Sequence, residues 1–173
     1  MNAGKDFEQQ IKASIPPDVY ELRIKDPAAS FASPDSLRFS PNNPFDYLLF
    51  RSPTLFALEL KTTTGAISFH RDDDPARKSV MIKKCQIEGL RKAAEHDGIA
   101  AGFLLNFRES EATHFLPIAD FLAFRAQSAK KSINEKDIIE LGAFVVPQVK
   151  KRTKYSFDIT SMLDYAEGCA RAC

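Results

Sequence analysis

Two short apolar runs, residues 47–50 and 55–60, meet across Ser52-Pro53 and confine this chain more than any other feature. Each is too short and too uniformly apolar for an amphipathic helix, and the proline between them breaks any helical continuation. They read as adjacent strands. The second contains Glu59 between Leu58 and Leu60, and a charge inside an apolar strand needs a reason. Asp46 stands one residue before the first strand. Glu59 and Lys61 have the same parity, so both leave one face of the strand, roughly 7 Å apart.

Asp46 and Glu59 offer hard oxygen ligands suited to Mg²⁺, with Mn²⁺ as a substitute, and the Leu60 carbonyl can add a third. A divalent ion there polarises a phosphodiester and lowers the pKa of an attacking water. Lys61 can orient that water or offset charge on the phosphorane. Glu8 reaches the edge of the site if its helix packs there, and the Gln86 amide can hold a water or a phosphate oxygen. Plainer readings stand beside these. Glu59 and Lys61 also fit a surface ion pair of small worth, Glu8 a solvated helix position, and Gln86 an ordinary helix-surface amide. His70, His96 and His114 are scattered and read as packed or solvated, and no glycine spacing makes a phosphate loop.

Composition sets outer limits. The 173 residues are 44% hydrophobic and 27% charged with a net charge of +1, an ordinary globular balance long enough for one well-buried domain spanning residues 1–173. Near-neutral charge does not announce a nucleic-acid partner, but its distribution is uneven. Lys78, Lys83, Lys84 and Arg91 gather on one helix, Lys130, Lys131 and Lys136 follow, and Lys150, Lys151, Arg152 and Lys154 form the densest run. Such runs either contact phosphates or serve as solvated faces. Cys85, Cys169 and Cys173 have no pairing that suggests a disulfide framework or a structural zinc. No stretch looks like a signal peptide or reaches the roughly 20 apolar residues of a membrane span, so a cytoplasmic setting without membrane contact is expected.

Along the chain, Asn2 caps a helix to about Ser14 with Phe7 and Ile11 inward, and Pro16-Pro17 ends it. A strand at 19–24 follows. Residues 25–44, rich in Pro, Ser, Ala and Asn, read as a protruding loop whose Lys25 and Arg38, with nearby Arg23, can meet a partner. The periodicity of 80–94 predicts a helix with a basic flank, closed by Gly98. Strands are expected at 100–107 and 113–116 and a short helix at 117–124. Asn134 caps another helix, a strand falls near 155–157, and a last helix is capped by Asp158 or Thr160. This is an α/β chain with a mixed central sheet flanked by helices.

The residues quoted so far also resemble a family. Asn2, Gly4, Phe7 and Glu8, then Asp46-Tyr47, Glu59-Leu60-Lys61, Ser68-Phe69, Gln86-Ile87, Gly98, Phe115-Leu116 with Ala119 or Asp120, and Lys131-Ser132-Ile133 follow in order the pattern of RecU-type Holliday-junction resolvases of bacteria and their phages. The ordered series, which runs to about residue 146, is more specific than the Glu-x-Lys motif alone. It implies a restriction-endonuclease-like core and a metal-dependent homodimer that binds branched DNA and resolves four-way junctions by paired, symmetric nicks. Asp46 and Glu59 would bind the metal, Lys61 would assist the attack, and Glu8 and Gln86 would complete the site. Lys5, Arg23, Lys25, Arg38, Lys83, Lys84 and Lys131 would contact DNA. The loop at 25–44 falls where the family has a stalk, but it is short and carries few basic residues. Pro44 replaces the usual threonine two residues before the aspartate and offers neither a hydroxyl nor an N–H. The alternatives are a restriction-like or repair nuclease acting on duplex or flap DNA, and a non-catalytic DNA-binding protein of the same fold.

Overall fold

The computed structural model describes residues 2–24, 43–74 and 79–172. Helix α1 (Ala3–Ser14) begins where the Asn2 side chain accepts the Gly4 N–H at 3.1 Å, and it buries Phe7 and Ile11. Strands β1 (Tyr20–Arg23), β2 (Tyr47–Arg51) and β3 (Thr54–Thr63) form an antiparallel meander. After β4 (Ile67–Ser68), helix α2 (Lys84–Ala94) crosses over to β5 (Ile99–Phe107), which pairs parallel with β3. Then come β6 (Ala112–Pro117), α3 (Ile118–Gln127), β7 (Ser132–Ile133), α4 (Glu135–Glu140) and β8 (Phe144–Val145). The chain closes with the hairpin β9 (Gln148–Lys151) and β10 (Lys154–Phe157) and with α5 (Ile159–Ala172).

The central sheet has the order β1-β2-β3-β5-β6-β8. Its β3–β5 neighbours are parallel and the rest antiparallel, so the expected mixed sheet flanked by helices is the one observed. Alternation along β3 divides the core. Phe56, Leu58 and Leu60 join Phe7, Ile11, Leu104, Met162 and Leu163 on the face covered by α1 and α5. Ala57 joins Ile87, Leu90, Phe103, Leu105 and Phe121 on the face of α2 and α3. A strand buried on both faces reads as a continuous apolar run, as β3 does. The same parity sends Glu59 and Lys61 toward α2.

Two expectations need adjustment. Helix α2 starts at Lys84 rather than near Val80, because Ile82 is extended and bridges Phe69, its N–H donating to the Ser68 carbonyl at 2.9 Å. That helix ends at Ala94, and Gly98, at φ +79°, instead makes the turn into β5. Strands β8 and β9 have no clear periodic signal in the sequence. Asp158 is the cap of α5, its carboxylate accepting the Ser161 N–H at 3.0 Å. The loop proposed at 25–44, with Lys25 and Arg38, lies outside the described residues apart from Asn43 and Pro44.

Candidate active site

Asp46 sits where β2 begins, and the ladder is offset there. Tyr47 is in register with Leu58, while the Asp46 N–H also reaches the Leu58 carbonyl at 3.0 Å. Two residues opposing one is the arrangement of a β-bulge, which re-aims a side chain. The Asp46 side chain turns onto β3, where Oδ2 accepts the Leu60 N–H at 2.8 Å. The N–H and C=O of one strand residue leave on the same edge. The Leu60 carbonyl therefore faces the Asp46 side of the strand as well.

Glu59 lies almost fully buried, at 1% exposure, in the middle of this arrangement. Its Oε1 accepts Lys61 Nζ at 2.6 Å and also the Gln86 side-chain amide from the first turn of α2. Gln86 is held at its other end too, its Oε1 accepting the Lys83 N–H at 2.9 Å. The Gln86 side chain thus spans from the start of α2 to Glu59. Glu59 Oε2 is buried with no donor to accept from, and the Asp46 carboxylate lies within hydrogen-bonding reach of the Glu59 carboxyl.

The charge balance is unusual for a carboxylate. Burial pushes the Glu59 pKa up to about 8; Lys61 lowers it, and the neighbouring Asp46 carboxylate raises it again. Two acids this close resist joint ionisation. A cation between them removes that resistance.

The fit to a divalent ion follows from these observations. Among the described residues no group of three or more His, Cys, Asp and Glu side chains could hold a metal. Asp46, Glu59 and the Leu60 carbonyl together offer two carboxylates and a backbone carbonyl. That set suits Mg²⁺, which keeps several of its waters and takes one or two protein carboxylates. Glu59 Oε2, with no donor to accept from, is the kind of buried atom that such an ion would satisfy.

Glu8 and Asp46 both lie close enough to Tyr47 to raise its pKa. Glu8 forms an ion pair with Arg23, at the end of β1 beside Tyr47. Tyr47 is buried beneath, its pKa pushed up to about 12 by burial, with Arg23 lowering it and Glu8, Glu21 and Asp46 raising it. The sequence reading missed that Tyr47 packs with Phe7 and Leu58 on the α1 side of the sheet. It also missed Gly89, whose position in α2 would put any Cβ 2.4 Å from the Pro44 Cβ. A lone glycine inside a helical pattern was the available signal.

The basic residues named from sequence divide into two kinds. Lys5 and Lys83 are exposed, and neither makes an ion pair among the described residues. Lys84 lies 3.3 Å from Asp72 and 3.6 Å from Glu88, and Lys131 lies 2.7 Å from Asp74. Arg125 and His70 also pair with Asp72, so the acidic turn at 72–74 compensates several cations beside α2. Hydrogen bonds from Arg125 and then Lys84 hold the pKa of exposed Asp72 down at about 2.

Comparison with known proteins places the chain among relatives. It is 31% identical over 176 residues to the SPbeta prophage-derived uncharacterized protein YotM of Bacillus subtilis (strain 168), covering 93% of this chain and 85% of that protein. The chain belongs to the YotM family. No protein-family model matches it. Among solved structures it is similar to Archaeoglobus fulgidus Hjc, a Holliday junction resolvase from an archaeal hyperthermophile. That likeness is 17% identical, covers 82% of this chain and 91% of the other, and has a TM-score of 0.46. Among the described residues no helix is long and apolar enough to cross a membrane.

Proposed function

We propose that this member of the YotM family is a metal-dependent, structure-selective DNA endonuclease, and that as a homodimer it resolves four-way junctions by paired nicks. The observation that carries the reading is the convergence of Asp46, Glu59 and Lys61 at one strand end, with a buried Glu59 oxygen left without a donor. The ordered resemblance to RecU-type resolvases supports the junction substrate. A symmetric pair of cuts is simplest with two identical sites, which supports the dimer.

Asp46, Glu59 and the Leu60 carbonyl would hold Mg²⁺ or Mn²⁺. When bound, such an ion supplies Lewis-acid activation of the phosphodiester and of water. The chain's own groups do the rest. Lys61 Nζ, anchored 2.6 Å from Glu59 Oε1, positions the attacking water and neutralises charge that develops on the phosphate oxygens. Gln86 is a positioning residue that keeps Glu59 from rotating. The Leu60 N–H does the same for Asp46. A divalent ion is held by the ionised carboxylates, so the Glu59 proton must leave before an ion is held.

The test is cleavage of a synthetic mobile four-way DNA junction, with linear duplex and flap controls, in Mg²⁺ and in Mn²⁺. Paired nicks confined to the junction, and lost in Asp46→Asn and Glu59→Gln, are the expected result. Cutting mainly of duplex or flap moves the activity to a repair-type or restriction-like nuclease. Tight junction binding without cutting in either metal leaves a binding protein of this fold.

A further inference from the structure

The densest basic run in the sequence lies outside the stretch that resembles the resolvases, and the proposed chemistry does not use it. In the structure it is the β9–β10 hairpin. Residues 149–154 are all exposed, and Lys150, Lys151, Arg152 and Lys154 place four cations within five positions without an acid among them. Lys150 is compensated by Glu111 at 2.5 Å. Lys151, Arg152 and Lys154 make no ion pair among the described residues. In a chain of net charge +1, where Lys84, Arg125, Lys130 and Lys131 all sit against carboxylates, this is a local excess of positive charge.

The hairpin is also held in place. The Tyr155 N–H donates to Gln10 Oε1 at 2.5 Å and the Phe157 N–H to Ser14 Oγ at 3.0 Å, which fastens β10 to α1. The Gln148 amide donates to the Glu111 carbonyl, which fastens β9 to the β5–β6 turn. Arg152 occupies the tip at φ +58°, a left-handed conformation that a glycine would adopt without strain. A long cation is thus kept where local backbone preference favours another residue.

A cleft of about 370 Å³ runs from the hairpin to Thr62 of β3, lined in part by Asn106, Arg108, Thr153 and Tyr155, with the carboxylates of Asp6 and Glu111 also on its wall. Thr62 directly follows Lys61, on the opposite face of the sheet by strand parity. Arg108 makes no ion pair among the described residues, and its N–H donates to the Thr63 carbonyl at 2.8 Å. Exposed Lys5 stands on the same α1 side.

We infer that the β9–β10 hairpin is a DNA-backbone contact surface, with Lys151, Arg152 and Lys154 holding phosphates of a strand that runs from the catalytic edge across the Thr62–Arg108 cleft. The inference rests on the nuclease reading and adds where the substrate lies. It predicts contacts without sequence preference, because phosphates position a duplex and carry no base information.

The experiment compares the parent protein, the triple variant Lys151→Gln/Arg152→Gln/Lys154→Gln, and Arg152→Gly. Binding of fluorescein-labelled linear duplex and four-way junction is measured by anisotropy between about 50 and 200 mM salt. Thermal unfolding and Mn²⁺ affinity are read on the same samples. The triple variant is expected to bind both DNAs about tenfold or more weakly, with the log–log salt slope shallower by about 2 to 3. Its unfolding temperature and Mn²⁺ affinity should stay unchanged. Arg152→Gly relaxes the tip, so it should unfold no earlier than the parent while binding roughly fivefold more weakly, one phosphate contact having gone. Unchanged affinity and slope in both variants, in a parent that binds and cuts DNA, overturns the hairpin surface and leaves the nuclease reading standing. A parent that binds no DNA even at the lowest salt overturns both.

Discussion

The Asp46 carboxylate accepts the backbone N–H of Leu60 at 2.8 Å, so an acid from one strand is tied to the residue between Glu59 and Lys61 on the next. This single bond sets the spacing of the candidate site, and it separates two substitutions that remove the same charge. Asp46→Asn keeps an acceptor oxygen for Leu60, whereas Asp46→Ala leaves a part-buried N–H without one, at a cost of about 1–3 kcal/mol. Both variants should lose at least about a hundredfold in DNA cleavage. Chemical denaturation should find only Asp46→Ala clearly destabilised. Equal stabilities would mean that water replaces the lost acceptor.

The raised pKa of Glu59 makes a prediction about metal-free protein. Its folded value of about 8 lies above the ordinary value of 4.5, so between those limits the folded state binds more protons than the unfolded chain. The contribution of Glu59 to stability is then full below about pH 4.5 and is lost as pH rises through about 8, a span worth a few kcal/mol. Urea unfolding in chelator should show this decline, and Glu59→Gln should flatten it. A parent curve that is level from pH 5 to 8 would falsify the assignment. Mn²⁺ affinity should climb toward pH 8 as the proton becomes easier to displace.

Gly89 admits Pro44 against α2, and a Cβ there would meet Pro44 at 2.4 Å. Pro44 lies two residues before Asp46, so crowding at Gly89 moves the segment that delivers the carboxylate. Gly89→Ala is expected to cost about 1–3 kcal/mol of stability, despite alanine's better helix propensity. It should also lower cleavage more than that loss of folded protein explains. Gly168→Ala, in α5 with open space around its Cβ position, serves as a control and should be neutral or stabilising.

Most of the strand framework was legible because hydrophobic alternation and caps spoke for the same elements. Asn2, Asn134 and Asp158 cap the helices they were expected to cap. The parity of Glu59 and Lys61 was readable from β periodicity, and their contact followed. The role of Gln86 was not readable, because pairing it with Glu59 needs the crossover that lays α2 over β3. Nor was the neutralisation of Lys84 and Lys131 by Asp72 and Asp74, since ion pairs across loops leave no periodic trace. The expected start of α2 falls a turn early because Val80 is in helical phase with Ile87, whereas Ile82 is spent on a bridge to Phe69.

Gln86 supplies a prediction with its own signature. Removing its amide from Glu59 takes away a donor that favours the ionised form, so Gln86→Leu should push the Glu59 pKa higher still. Cleavage should fall about 10–100-fold, as it does when a residue that orients a metal ligand is lost. The pH at half-maximal activity should move up. A fall in rate with an unmoved pH profile would assign Gln86 to packing alone.

The central claim is that Asp46 and Glu59 jointly hold a divalent ion, and anomalous diffraction from Mn²⁺-soaked crystals at pH 8 tests it most directly. The account predicts one strong anomalous peak at about 2.0–2.3 Å from an oxygen of each carboxylate, absent from Glu59→Gln crystals soaked in the same way. A peak elsewhere with none between these residues, or one that survives Glu59→Gln, would contradict it.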